Sequence, residues 1–243
     1  MIYVDAREGL SGDTLVTGML GLLEEQERLR TAARMRAAAS AHGLDFELLQ
    51  IADATEAGLG IAYKELKVRV GRRAGYDECF SMLAKMEEFL GFSSPTSSGI
   101  LGLIFEAEGK AHGTPPADVH LHEIGRPQAI LNIAAIGHLS WRLVELGGGP
   151  FVCSTITTGK GVLKMSHGTV NLPAPAAQQL LTNMTHTPGD EPGERATPTG
   201  IAAIKALIRY QSDDDPTVFA KKSVGFGTKR FGGRLGRTAF LWV

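Results

Sequence analysis

The chain has 243 residues, 43% of them hydrophobic and 21% charged, which is enough apolar material for a buried core and excludes a disordered polypeptide. Lysines and arginines nearly balance the acids, for a net charge of −1, so no global field draws the chain to nucleic acid or to an anionic membrane. No stretch approaches the ~20 apolar residues of a membrane span. The start, Met1 to Asp5, lacks the basic and apolar run of a secretory leader, and two cysteines are too few for a disulfide framework. A cytoplasmic protein without nucleic-acid or membrane partners is expected.

In chain order, Ile2 to Val4 reads as a short strand, followed by the turn Gly9-Leu10-Ser11-Gly12-Asp13. Leu15, Met19, Leu22 and Leu23 then recur at helical spacing, and a charged helix is expected to continue to about Ala41, ending near Gly43. Residues 46–70 are strand-like, with Leu66, Val68 and Val70 alternating with Lys67 and Arg69. Helices are predicted at 76–90 and 98–112, divided by Ser93-Ser94-Pro95. After Pro127 another helix turns Ile130, Ile133, Ala134, Trp141 and Val144 inward. Phe151 to Ile156 is β-rich, and a helix covers 175–182. A polar loop, the one segment expected to be flexible, spans 185–196, and a helix capped by Thr197 runs to about Tyr210. Residues 218–243 read as two strands around a turn rich in Gly and Arg. The fold expected is α/β (mixed α+β), one module over 1–243 of short strands and about six helices.

The densest group of chemical side chains is Val119-His120-Leu121-His122-Glu123-Ile124. On an extended chain His120 and His122 leave the same side while Leu121 packs inward. On a helix they would diverge by about 200°. Two imidazoles and a carboxylate suit Ni²⁺ or Zn²⁺ and fit Ca²⁺ poorly. Glu108 and His112, four apart on the preceding helix, share a face near its end, which places five candidate ligands within sixteen residues. The same residues also occur as core histidines or as an exposed Glu–His pair.

Two helix starts, Ser11-Gly12-Asp13 after Asp5 and Thr197-Pro198-Thr199-Gly200, offer free backbone N–H groups to an anion such as phosphate. Ordinary capping by Ser11, Asp13 or Thr197 explains them equally well. His167, followed by Gly168, stands in a loop as a candidate acid, base or ligand. Thr158-Gly159-Lys160-Gly161 lacks the hydroxyl and the upstream glycine of a P-loop. The basic residues Lys229, Arg230, Arg234 and Arg237 are expected to be solvated, balanced by Asp213-Asp214-Asp215.

These segments, with Ala107-Glu108…His112-Gly113, His120-Leu121-His122-Glu123-Ile124-Gly125, Pro173-Ala174-Pro175-Ala176 and Gly225-Phe226-Gly227, follow one another in an order that resembles the nickel insertion proteins of nickel-pincer cofactor synthesis, the LarC family. The resemblance runs over nearly the whole chain and corresponds to the amino-terminal region of that family. It implies a nickel role for His120, His122 and Glu123, while His112 and Glu108 remain further candidate ligands by their spacing. It also implies insertion of Ni²⁺ into a pyridinium bisthiocarboxylate mononucleotide with hydrolysis of CTP. The mononucleotide phosphate then becomes the anion at the helix starts, and Asp5, Ser11, Gly12, Asp13, His167, Thr197, Thr199 and Gly200 become candidate ligand-binding residues.

Three departures stand out. The chain ends at Val243, so the CTP-binding domain is expected on another polypeptide or absent. Gln128 and Asn132 stand where the family shows aspartates. Leu235-Gly236-Arg237-Thr238-Ala239 replaces a Pro-Asn-x-Leu-Arg signature. Nickel chelatase activity, classed with the lyases, is therefore expected only with a partner chain that supplies the CTP-binding domain. A second copy of this chain is the other protein partner the reading admits. The alternatives are a metal-free scaffold that binds a phosphorylated small molecule, and a metal-dependent hydrolase with Glu123 as base.

Overall fold

The structure, a computed structural model, describes residues 1–51, 59–68, 74–121, 125–165 and 168–243. In chain order come β1 (Ile2–Asp5), α1 (Gly12–Leu22), α2 (Glu25–Ala41), β2 (Leu44–Ile51), β3 (Leu59–Val68), α3 (Tyr76–Leu90) and α4 (Pro95–His112). A 3₁₀ turn, Pro116–Asp118, precedes α5 (Pro127–Glu145). Then follow β4 (Phe151–Cys153), β5 (Ile156–Thr158), β6 (Val162–Met165), β7 (Gly168–Asn171) and α6 (Pro175–Leu181). The chain ends with β8 (His186–Pro188), α7 (Pro198–Leu207), β9 (Ile208–Gln211), β10 (Lys221–Phe231) and β11 (Arg234–Trp242).

Among the described residues a seven-stranded mixed sheet runs in the order β2-β3-β10-β11-β1-β4-β9. Its parallel pairs are β1–β4, β4–β9 and β10–β3, and the rest are antiparallel. The mixed α/β class expected from the sequence is the class observed. Two short ribbons, β5–β8 and β6–β7, stand apart from the main sheet.

Helix α1 lies over β10 and carries buried residues on all sides, because α5 and α7 cover it from above. That close approach explains the Gly225-Phe226-Gly227 segment: a Cβ at Gly225 would collide with the Thr14 carbonyl and stand 2.6 Å from the Gly18 nitrogen. No described helix is long and apolar enough to cross a membrane.

Four expectations need correction. The single helix expected from Leu15 to Ala41 is two, because Leu23 and Glu24 are extended and the apolar α1 gives way to the polar α2. No proline marks that break. The last helix stops at Leu207 instead of Tyr210, and Ile208–Gln211 pairs with β4 as an edge strand. The 185–196 loop is pinned, with β8 paired to β5 and Gly193 bonded to Lys160 in both directions. Val144, expected to face inward, is exposed, and Trp141 is half-buried, stacking on Phe92 at 4.0 Å between centroids.

Candidate functional site

A cavity of about 350 Å³ opens where α1, α4, α5, α6 and α7 converge beside β10. Its inner end is built by two helix starts lying side by side. The Leu10 N–H donates to the Arg195 carbonyl at 2.9 Å, and the Thr197 N–H donates to the Leu10 carbonyl at 2.8 Å. This bridge sets the first turns of α1 and α7 against each other. Gly200 permits the contact, since a Cβ there would meet the Leu10 carbonyl oxygen at 2.6 Å.

The two starts are capped alike. Ser11 Oγ accepts from the Thr14 N–H at 3.3 Å, and Thr14 Oγ1 accepts from the Ser11 N–H at 3.0 Å, a reciprocal capping box. Thr197 Oγ1 accepts from the Gly200 N–H at 3.2 Å. In each helix the third N–H is therefore satisfied. Among the described residues, the N–H groups of Gly12, Asp13 and Thr199 have no acceptor.

Asp13 is held from across the cavity. Asn132 of α5 donates Nδ2 to Asp13 Oδ1 at 2.7 Å. Burial pushes the Asp13 carboxyl above its ordinary range, opposed by this hydrogen bond and by the charge of Lys229. Lys229 reaches in from β10 and pairs with Glu194 at 2.5 Å. Ala129, Ala174 and Pro175 give part of the wall an apolar lining, and Gln128 and Arg126 also border the space.

The other group of expected residues lines the same cavity from α4 and the segment after it. Glu108 and His112 occupy the last turn of α4, with His112 Nε2 at 3.5 Å from Glu108 Oε2. His120 follows the 3₁₀ turn and stands exposed between two buried neighbours, Val119 and Leu121. The Leu121 N–H donates to the Ala74 carbonyl at 3.1 Å, which fixes this stretch in an extended form with Leu121 inward. Among the described residues no group of three or more His, Cys, Asp or Glu side chains is placed to hold a metal ion. His122, Glu123 and His167 lie outside the described residues.

Of the expected ligand-binding residues, Ser11, Gly12, Asp13, Thr197 and Thr199 line the cavity, as do Glu108, His112 and His120. Asp5 does not line it. It makes a two-point ion pair with Arg7, which also grips Asp215. Gly200 serves the packing just described.

Sequence reasoning missed Lys229 and Glu194 as wall residues. The basic carboxyl-terminal strands are also not balanced by Asp213 to Asp215: Lys229 pairs with Glu194 and Arg237 with Glu8, while Asp213 accepts from Thr155. The separation of 35 positions between Glu194 and Lys229 hides that pairing from any local pattern.

The chain matches the nickel insertion protein family model over residues 2–236. It is similar to a putative nickel insertion protein of Geotalea daltonii, 30% identical over 236 residues, covering 95% of this chain and 57% of that protein. It is also similar to the pyridinium-3,5-bisthiocarboxylic acid mononucleotide nickel insertion proteins of two bacteria. For Desulfitobacterium hafniense the identity is 33% over 226 residues, covering 85% of this chain and 49% of that one. For Staphylococcus saprophyticus it is 29% over 230 residues, covering 95% and 56%. The chain thus spans about half the length of the curated relatives it matches. No solved structure matches it.

Proposed function

This chain belongs to the nickel insertion protein family, and we propose that it holds Ni²⁺ at the mouth of the cavity for delivery into a pyridinium mononucleotide seated inside. The observation that carries this reading is that Glu108, His112 and His120 line the same cavity as the two helix starts. His122 and Glu123 follow His120 directly in sequence and would complete the ligand set. Nickel is cargo here, held by imidazole nitrogen and carboxylate oxygen. Zn²⁺ suits the same donors.

Delivery is ligand exchange. Thiocarboxylate sulfurs of the precursor are softer donors than imidazole or carboxylate and take the ion without any change of oxidation state. Ligands at an open mouth, one of them exposed and another half-exposed, can release the ion one bond at a time. Hydrolysis of CTP belongs in this scheme to a further domain or chain. The sulfur chemistry and the two free cysteines fit a reducing, cytoplasmic setting.

A second reading, a metal-free binder of a phosphorylated small molecule, is favoured by the Asn132–Asp13 hydrogen bond, which satisfies a cavity carboxylate without a cation. Metal content after equilibrium dialysis of tag-free protein against Ni²⁺ separates the two. About one ion per chain, diminishing on acidification because a protonated imidazole cannot ligate, is expected. Protein that stays metal-free at saturating Ni²⁺ would establish the second reading.

A further inference from the structure

Resting on the reading that a mononucleotide enters this cavity, we propose that the inner end is a phosphomonoester subsite and that Glu194 occupies its lysine until the ligand arrives. The donors come from three elements. The N–H groups of Gly12, Asp13 and Thr199 stand at the positive ends of α1 and α7, and among the described residues none has an acceptor.

The independent sign of a ligand is the Thr199 side chain. It is only 8% exposed, it lines the cavity, and its hydroxyl bonds to no described group. A threonine buried to this degree normally bonds its hydroxyl within the protein. Its methyl faces Gly12, whose added Cβ would meet it at 3.3 Å. The hydroxyl is not among the enclosed, unsatisfied atoms of the interior, so it keeps open space beside it, and the residue lines the cavity. A phosphate oxygen there would accept from the hydroxyl and from the backbone donors together.

Lys229 supplies the full positive charge. Its ammonium bonds to Glu194 at 2.5 Å, with the lysine 52% exposed and the glutamate only 12%. The lysine is the mobile partner and the carboxylate the fixed one. Glu194 is anchored by its neighbours, the Gly193–Lys160 bridge on one side and the Arg195 carbonyl bound to Leu10 on the other. An arriving phosphate must draw Lys229 away from Glu194, so this ion pair lowers affinity and excludes weaker anions. Asp13, the other carboxylate at this end, is kept from the phosphate by Asn132.

The test uses metal-free whole chain titrated calorimetrically with nicotinate mononucleotide and with nicotinate riboside, which differ only in the phosphate. The mononucleotide should bind at least tenfold tighter. Thr199→Val should erase about tenfold of its affinity and Thr199→Ser should restore it. Lys229→Met should weaken it by tenfold or more, and Glu194→Gln should tighten it by about fivefold. The riboside should be indifferent to all four changes. Equal affinity for the two ligands, or a Thr199→Val variant that is folded by circular dichroism and binds as wild type does, overturns the subsite. An unchanged affinity in Glu194→Gln overturns the competition by Glu194. Ni²⁺ uptake measured on the same samples reports separately on the metal at the mouth, so either conclusion can fail while the other stands.

Discussion

At the inner end of the cavity most polar side chains are tied down, and the donors left open are fixed backbone N–H groups and the Thr199 hydroxyl. Asn132 holds Asp13, Ser11 and Thr197 cap their helices, and Glu194 holds Lys229. At the mouth, His120 is exposed and His112 half-exposed, and both belong to a helix end and the short segment beyond it. The difference matches two tasks. A group that must recognise one end of a ligand gains from donors fixed in advance by backbone and caps. A group that must give up its ion gains from ligands that can let go separately.

The sharpest way to break this comparison is at the mouth. The double change His120→Ala, His122→Ala should weaken Ni²⁺ binding by about a hundredfold or more, two imidazole bonds being lost from the proposed set. The melting temperature of metal-free protein should stay within a few degrees of wild type, because His120 is exposed and ion-holding residues seldom hold a fold together. A collapse of the metal-free fold would mean these histidines hold structure.

At the inner end the largest effect should come from Asn132→Asp. It replaces an amide donor by a second carboxylate at the 2.7 Å contact with Asp13, and should cost about 2 kcal/mol of stability near neutral pH. Acidification, which lets the pair share a proton, should return the loss, and so should a divalent cation. Thermal melts at pH 5 and 7, with and without Ni²⁺, check this. Adding Gln128→Asp beside it should strengthen metal binding by roughly tenfold, and a double variant whose melts ignore metal would refute that.

A smaller effect is expected from Asp13→Asn. Burial raises the Asp13 carboxyl above its ordinary 3.8, so the folded chain binds that proton more tightly than the unfolded chain. The resulting stabilisation is complete below 3.8 and is lost as pH rises through the higher folded value. Wild type therefore carries a penalty at neutral pH that the amide removes. The variant should melt a few degrees higher at pH 7, and the gap should close below about pH 4. A gap that widens on acidification would reverse the assignment.

The smallest effect should be at Asp5, which pairs with Arg7 and does not line the cavity. Asp5→Asn should change neither nickel nor mononucleotide affinity by more than about twofold, since additivity holds for sites without shared partners. A larger loss, read by the same titrations, would extend the site toward the β1 terminus.

What could be read from the sequence follows how local the physics is. Helix starts at Ser11 and Thr197 are written in three or four adjacent residues, because a cap bonds within its own first turn. The inward turn of Leu121 follows from alternation alone. Asn132 and Asp13 are 119 residues apart, and nothing near either predicts their bond. Lys229 looked like one more solvated cation of a basic strand. Only the placement of α7 against the start of α1 brings Glu194 to it. The break at Leu23 and Glu24 has no proline, and its local marks, a Leu23 N–H on the Leu20 carbonyl and the Arg28 guanidinium on the Leu23 carbonyl, are bonds that no short sequence pattern announces.

The central claim is that nickel at the mouth and a mononucleotide inside share one cavity, with the phosphate held at the inner end. Nuclear magnetic relaxation of nicotinate mononucleotide bound to the Ni²⁺-loaded chain tests it most directly. Paramagnetic nickel should broaden the pyridine-ring protons more than the phosphorus, and the effect should vanish in His120→Ala, His122→Ala. Broadening that persists in the double variant, or that is strongest at phosphorus, would contradict the arrangement.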